Sequence, residues 1–180
     1  DDRETDVVIL TGAGKVFSAG GDYGAMQLSI DDPARFDRLA VEAKRIVFSM
    51  LDCPKPIIAK VNGHAVGFGA TLALFSDIVF AASHAKIGDP HVLVGYVAGD
   101  GGAAIWPQLI GFAKAKEFLF TGKLLTATEA EKIGLINYAL PAEDLEGAVR
   151  EFAERLAAGA AKAIQWTKLS VNVGLKAIVH

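Results

Sequence analysis

The stretch from Val7 to Met26, VVILTGAGKVFSAGGDYGAM, constrains this chain more than any other. Val7-Val8-Ile9-Leu10 favours a strand, and the chain then breaks into a loop with glycines at 12, 14, 20 and 21. A strand that ends in such a loop leaves backbone N–H groups free to face a ligand oxygen. A second strand-to-glycine segment, PIIAKVNGHAVGFG, runs from Pro56 to Gly69. Two backbone loops of this kind supply the parts of an oxyanion hole, which needs two convergent donors.

Composition excludes several classes. With 180 residues, 52% of them apolar and 22% charged, the chain is long and apolar enough for one domain with a hydrophobic core. A formal charge of −3 and the lack of a Lys/Arg run argue against a nucleic-acid partner. The apolar stretches are short and broken by glycine or charge, so no membrane span is expected. A single cysteine, Cys53, has no internal disulfide partner, which suits a reducing, cytoplasmic compartment. Asp1–Glu4 reads as a polar lead-in to a strand and not as a leader peptide.

Short apolar strands alternate with amphipathic helices along the chain, the pattern of an α/β fold. Phe36, Leu39, Ala43, Ile46, Val47 and Met50 recur at helical spacing over Pro33–Leu51, and Pro54 and Pro56 end that helix before a strand at Ile57–Val61. A short helix is expected over Ala70–Phe75 and a strand through Ile78–Phe80. Gly99–Gly102 should run into a helix with Asp100 as its N-cap. Further helices are expected at Thr126–Lys132, Ala142–Ala157 and Ala160–Val173. In the second of these, Leu145, Ala148, Val149, Phe152 and Leu156 form one apolar stripe, read as a face for a partner.

Four segments together resemble the enoyl-CoA hydratase/isomerase (crotonase) superfamily. They are VVILTGAGKVFSAGGD at 7–22, PKPIIAKVNGHAVGFGATLALFSDIVFA at 54–81, AKIGDPHVLVGYVAGDGG at 85–102 and TGKLLTATEAEKIGLINYALP at 121–141. The resemblance covers nearly the whole chain and implies a spiral of strand–strand–helix turns over residues 1–140, with 141–180 opening a C-terminal helical region. It also implies that the family's first strands and its trimerisation helices lie outside this sequence.

The same resemblance implies an enzyme that binds acyl-CoA thioesters and stabilises an enolate or oxyanion at the thioester carbonyl. No separate cofactor or metal is implied, because coenzyme A arrives as part of the substrate. The two donors would be the backbone N–H groups of Gly21 and Phe68. Ala19, Gly20 and Asp22 fall on the segment that reads the adenine ring, and Lys15 on a basic position near the CoA phosphates, whereas Gly24 stands where a second lysine is often found. A homotrimer or hexamer is implied as well.

The chain departs from the pattern at its proton-transfer groups. Hydratases that it resembles activate water with two glutamates, and the matching positions here are Thr71 and His91. Thr71 can only hydrogen-bond and is placed in the substrate pocket, while His91 can serve as acid or base or pack as a core histidine beside Val92, Leu93 and Val94. Asp100 is a candidate general base or nucleophile, with the N-cap as its other reading. Asp89, before Pro90, reads as a turn or surface residue. Tyr96 is expected to line the acyl pocket, and the Met26–Arg35 stretch to cover it. His64 reads as structural, His84 and His180 as exposed, Trp106 and Phe118 as core, and Cys53 as inert.

Two functions of different kinds follow. One is an acyl-CoA enzyme, nominally a lyase or isomerase of fatty acid metabolism, with a thioester hydrolase or dehalogenase as a variant of it. The other is a non-catalytic acyl-CoA-binding or structural subunit. The placement of Asp100 and His91 discriminates between them.

Overall fold

The computed structural model describes residues 4–21, 24 and 32–179. Each turn of the chain places one strand in a first sheet, the next in a second, and then a helix across them. Strand β1 (Val8–Thr11) is followed, after a bridge from Ser18 to Ala65, by helix α1 (Pro33–Asp52). The next turn is β2 (Ile57–Val61), β3 (Ala65–Val66) and α2 (Phe68–Leu74). A third comprises β4 (Ile78–Ala82), β5 (Lys86–Gly88), a 3-10 segment at His91–Val94 and α3 (Gly102–Thr121). The chain continues through β6 (Leu125–Thr126), α4 (Ala127–Lys132), β7 (Tyr138–Leu140), α5 (Ala142–Ala157) and α6 (Ala161–Val179).

The first sheet has the order β1-β2-β4-β7, all parallel, with Ile58 opposite both Ile9 and Ile78. The second runs β3-β5-β6, with β6 antiparallel to β5. Strands buried on both faces of a parallel sheet read as continuous apolar runs and not as alternating ones. Ile57, Ile58, Ala59 and Val61 on β2 and Val79–Ala82 on β4 are accordingly all buried. Trp106 of α3 is fully buried and packs on Phe118, 6.0 Å between ring centroids, as core residues should.

Strand β2 and helix α5 have the expected bounds. Helix α2 starts two residues earlier than the expected Ala70, because Gly67 adopts φ +56° and turns the chain directly into it. Helix α6 runs past Val173, through Gly174, to Val179. The stripe on α5 is corrected: it is not a free partner face, because it packs on this chain's own core. Leu145 and Val149 are buried, and Phe152 meets Phe80 edge-on at 5.4 Å while Tyr138 stacks on Phe80 at 4.5 Å.

Polar clamps hold α6 to the start of the sheet. Lys168 Nζ donates to Asp77 Oδ2 at 2.7 Å and to the Lys55 carbonyl at 2.9 Å. Asn172 donates to the Leu51 carbonyl at 3.1 Å, and Lys176 pairs with Asp52. No helix among the described residues is long and apolar enough to cross a membrane.

Candidate active site

The two glycine-rich segments lie side by side because the chain stitches them together. Asn62, at the end of β2, accepts from the Gly12 N–H at 3.1 Å and donates to the Gly14 carbonyl at 2.9 Å. The His64 carbonyl accepts from the N–H groups of Phe17 and Ser18, and the Ser18 carbonyl accepts from Val66. His64 itself is structural, its Nδ1 accepting from the Lys86 N–H. Asn62 was missed as a functional support in the sequence, although an Asn-Gly pair after a strand does mark a turn.

This stitching brings Gly20, at φ +87°, against the entrance of α2. A Cβ there would stand 2.7 Å from the Val66 carbonyl oxygen and 3.4 Å from the Phe68 nitrogen. Gly21 therefore follows directly on a residue that touches the first N–H of α2. Phe68, Gly69 and Ala70 head that helix, where N–H groups have no carbonyl one turn earlier in the helix to bond; the first such bond runs from Thr71 to Gly67. Lys15, Ala19 and Gly21 are exposed, and Asp22 lies outside the described residues, as does 26–31 of the stretch expected to cover the acyl group.

Four polar side chains meet beside this entrance. The His91 ring covers Gly67, whose Cβ, if it had one, would lie 3.5 Å from the ring's Cε1. His91 Nδ1 is 2.5 Å from Asp89 Oδ1, and Nε2 is 3.7 Å from Asp100 Oδ2. Thr71 donates its hydroxyl to Asp100 Oδ1 at 3.2 Å. Asp89 is 1% exposed, His91 12% and Asp100 16%. So His91 and Asp100, separate candidates in the sequence, form one pair, and Thr71 is joined to it.

The environment shifts both titrations. The hydrogen bond that His91 donates to Asp89 holds the His91 pKa above 6.5 despite partial burial, helped by the charges of Asp89 and Asp100. Burial raises the Asp100 carboxyl above the usual carboxylate range, and the nearby Asp89 charge adds to this against the opposing pull of His91. A partly buried carboxylate and imidazole whose pKa values are both raised suit proton transfer.

Three expectations are corrected here. Asp89 makes a turn but is not at the surface; it follows β5 directly, is buried, and accepts from both the His91 backbone N–H and its ring. Asp100 is not the N-cap of α3, which is Gly101; its carboxylate receives the Gly102 N–H only at a long 3.4 Å. Val92, Leu93 and Val94 do not pack around His91 as an apolar core but are exposed. Tyr96 is half-buried, and its N–H donates to the His91 carbonyl, which fixes the far end of the 3-10 segment.

Ligand atoms of Asp89, His91 and Asp100 come within 4.8 Å of one another. With metal–ligand bonds of about 2.0–2.2 Å, two ligands of one ion usually stand about 3 Å apart or more. The 2.5 Å between His91 Nδ1 and Asp89 is instead a hydrogen-bond distance.

Residues 1–178 match the family model described as enoyl-CoA hydratase/isomerase. The chain belongs to that family. It is 38% identical over 178 residues to a protein named crotonyl-CoA hydratase from Syntrophomonas wolfei, covering 98% of this chain and 67% of the relative. An enoyl-CoA hydratase/isomerase crystal structure from Mycobacterium paratuberculosis superposes with a TM-score of 0.92 at 36% identity, covering 99% of this chain and 71% of that one. A structure titled a monofunctional enoyl CoA isomerase from M. smegmatis matches with a TM-score of 0.78 at 32% identity, covering 97% and 74% of the two chains. Among the first curated relatives, this enoyl-CoA hydratase/isomerase family member spans 61% to 67% of the full length.

Proposed function

We propose that this chain carries an acyl-CoA enzyme in which the Gly21 and Phe68 N–H groups hold the thioester oxygen, while Asp100 and His91 transfer protons at the acyl carbons. In this reading Asp100, as carboxylate, removes a proton, and the electron pair moves onto the thioester oxygen as an enolate. His91, as imidazolium, returns a proton. Lys15, Ala19, Gly20 and Asp22 would grip the CoA portion, and Thr71 and Tyr96 would border the acyl group. The observation that carries this reading is the 3.7 Å pairing of His91 and Asp100 over the Gly67–Phe68 turn. It favours an enzyme over a bare binding module, because two partly buried titratable groups, both with raised pKa values, are aimed at one spot.

Hydration and double-bond isomerisation both pass through such an enolate, so the test should read the enolate itself. Acyl-CoA thioesters of several chain lengths, incubated with the protein in deuterated water, should gain deuterium beside the thioester carbon by mass spectrometry. Tight binding with neither exchange nor turnover would turn the reading toward an acyl-CoA-binding subunit.

We further propose a homotrimer or hexamer in the cytoplasm. Exposed Phe112 and Phe120 on α3 and exposed Leu93 on the 3-10 segment support a subunit contact, and the free Cys53 supports the compartment. Light scattering that finds only monomers of the full-length protein would reject the assembly.

A further inference from the structure

We infer that Asp89 is a positioning residue, whose buried carboxylate fixes the His91 ring with Nδ1 as the permanent proton donor and leaves Nε2 to exchange protons beside Asp100. The inference rests on the acyl-CoA reading of the site for its kinetic consequence, but not for its structural one.

Asp89 is placed by backbone at both ends of its reach. It follows β5 directly, and its Oδ1 accepts from the His91 backbone N–H at 3.2 Å as well as facing Nδ1 at 2.5 Å. One oxygen thus locks both the main chain and the ring of a residue two positions on. The other oxygen, Oδ2, is buried without a hydrogen-bond partner among the described residues. Leaving a buried carboxylate oxygen unsatisfied is destabilising, and such a group is retained where it serves a site. Room for it is made by Gly102, where a Cβ would come within 2.3 Å of Oδ2. The end of the Gly99–Gly102 cluster is therefore shaped around Asp89.

The charged groups that face His91 are few. Asp89 comes from its own segment and Asp100 from the loop before α3, while the α2 side presents the Gly67 backbone and, behind Asp100, the neutral Thr71. Among the described residues no cation acts on the ring. A ring that donates through Nδ1 to a fixed anion has its second nitrogen directed at Asp100, and its protonated form is favoured. A carboxylate held in this way sets both tautomer and orientation of an imidazole.

The test compares the full-length protein with Asp89→Asn by nitrogen-15 NMR of the histidine rings over a pH series, His91 being assigned by its absence in His91→Gln. In the wild type, Nδ1 should remain protonated through the titration while Nε2 titrates. In Asp89→Asn the His91 midpoint should move to lower pH and the fixed tautomer should be lost. Turnover should fall on the order of 10²-fold with KM for the acyl-CoA kept, and any alkaline limb of the rate profile should move to lower pH. An unchanged His91 midpoint and tautomer would overturn the inference, as would a rate loss with no movement of the pH limb. If Asp89→Asn does not fold, the wild-type tautomer decides alone: Nδ1 protonated supports the inference and Nε2 protonated refutes it. A protein that shows the expected NMR behaviour but turns over no acyl-CoA would instead reject the functional reading.

Discussion

His91 Nε2 stands 3.7 Å from Asp100 Oδ2, and both side chains belong to the connection between β5 and α3, one in the 3-10 segment and one just before the helix. The pairing is made within one connection, which the bond from the Tyr96 N–H to the His91 carbonyl turns back on itself. It places a carboxylate and an imidazole, neither fully exposed nor fully buried, next to the first N–H groups of α2.

Asp100→Asn removes the carboxylate and keeps its shape. The amide oxygen can still accept from Thr71 and from the Gly102 N–H, so the fold and CoA binding should persist. Turnover should fall by roughly 10²-fold or more, the usual scale for an acid–base group. Single-turnover kinetics with calorimetry on the same samples separates the two effects, and full activity in this variant would remove Asp100 from the chemistry.

The pH dependence follows from the directions of the two shifts. If ionised Asp100 is the base, activity rises with pH through its pKa, which burial places above the ordinary 3.8. If protonated His91 is the acid, activity falls again as pH passes its pKa, which Asp89 holds above 6.5. A bell-shaped kcat/KM profile is therefore expected, whose limbs belong to the coupled pair. Thr71→Val removes a hydrogen bond that favours the Asp100 carboxylate, so the acid limb should move to higher pH. A rate that only climbs through the His91 range would instead make His91 the base.

Much of this architecture was legible in the sequence, and the losses have identifiable causes. Strand β2 is bounded by Pro56 and the Asn62-Gly63 turn, and α5 by Pro141, so their ends are written in residues that act locally. The stripe on α5 revealed a buried face, but periodicity does not say what covers it; the cover includes Phe80 of β4, distant in sequence, beside Tyr138 of the preceding strand β7. Asp89 was misread because Asp-Pro is a turn signal, and it does make the turn. Its carboxylate reaches the N–H two residues on, as an Asx turn does. Burial by α3, and hence its hold on the His91 ring, is a long-range fact. Asp100 was legible as a candidate, yet its partner was not, since nothing local relates residue 100 to residue 91.

Lys168→Met should test the clamp that holds α6. The Lys168 side chain is 6% exposed, and its ammonium bridges Asp77 and the Lys55 carbonyl. Asp77 Oδ2 also accepts the Ile57 N–H at 2.7 Å, so the loss leaves that carboxylate bonded but without its cation. A hydrogen bond to a charged group contributes about 1.5–3 kcal/mol, and a loss in that range is expected from the urea midpoint at unchanged m. A smaller change would mean that Asn172 and Lys176 suffice to fix α6.

The proposed oxyanion donors are main-chain groups, so side-chain deletion cannot test them. Proline can, because it lacks the N–H, and the first position of a helix is the one where proline fits. Phe68 occupies that position in α2, after Gly67 at φ +56° and ψ −126°, a conformation open to glycine and free of the helical geometry that proline disfavours in its predecessor. Phe68→Pro should therefore fold with α2 intact while removing one donor, and Phe68→Leu controls for the lost ring. Loss of one oxyanion donor typically lowers kcat by about 10²–10³-fold. Deuterium exchange beside the thioester should fall by a similar factor in Phe68→Pro and little in Phe68→Leu, with CoA binding retained in both. Equal exchange in the two variants would show that the Phe68 N–H does not face the thioester oxygen, and the second donor would have to be sought at Gly69.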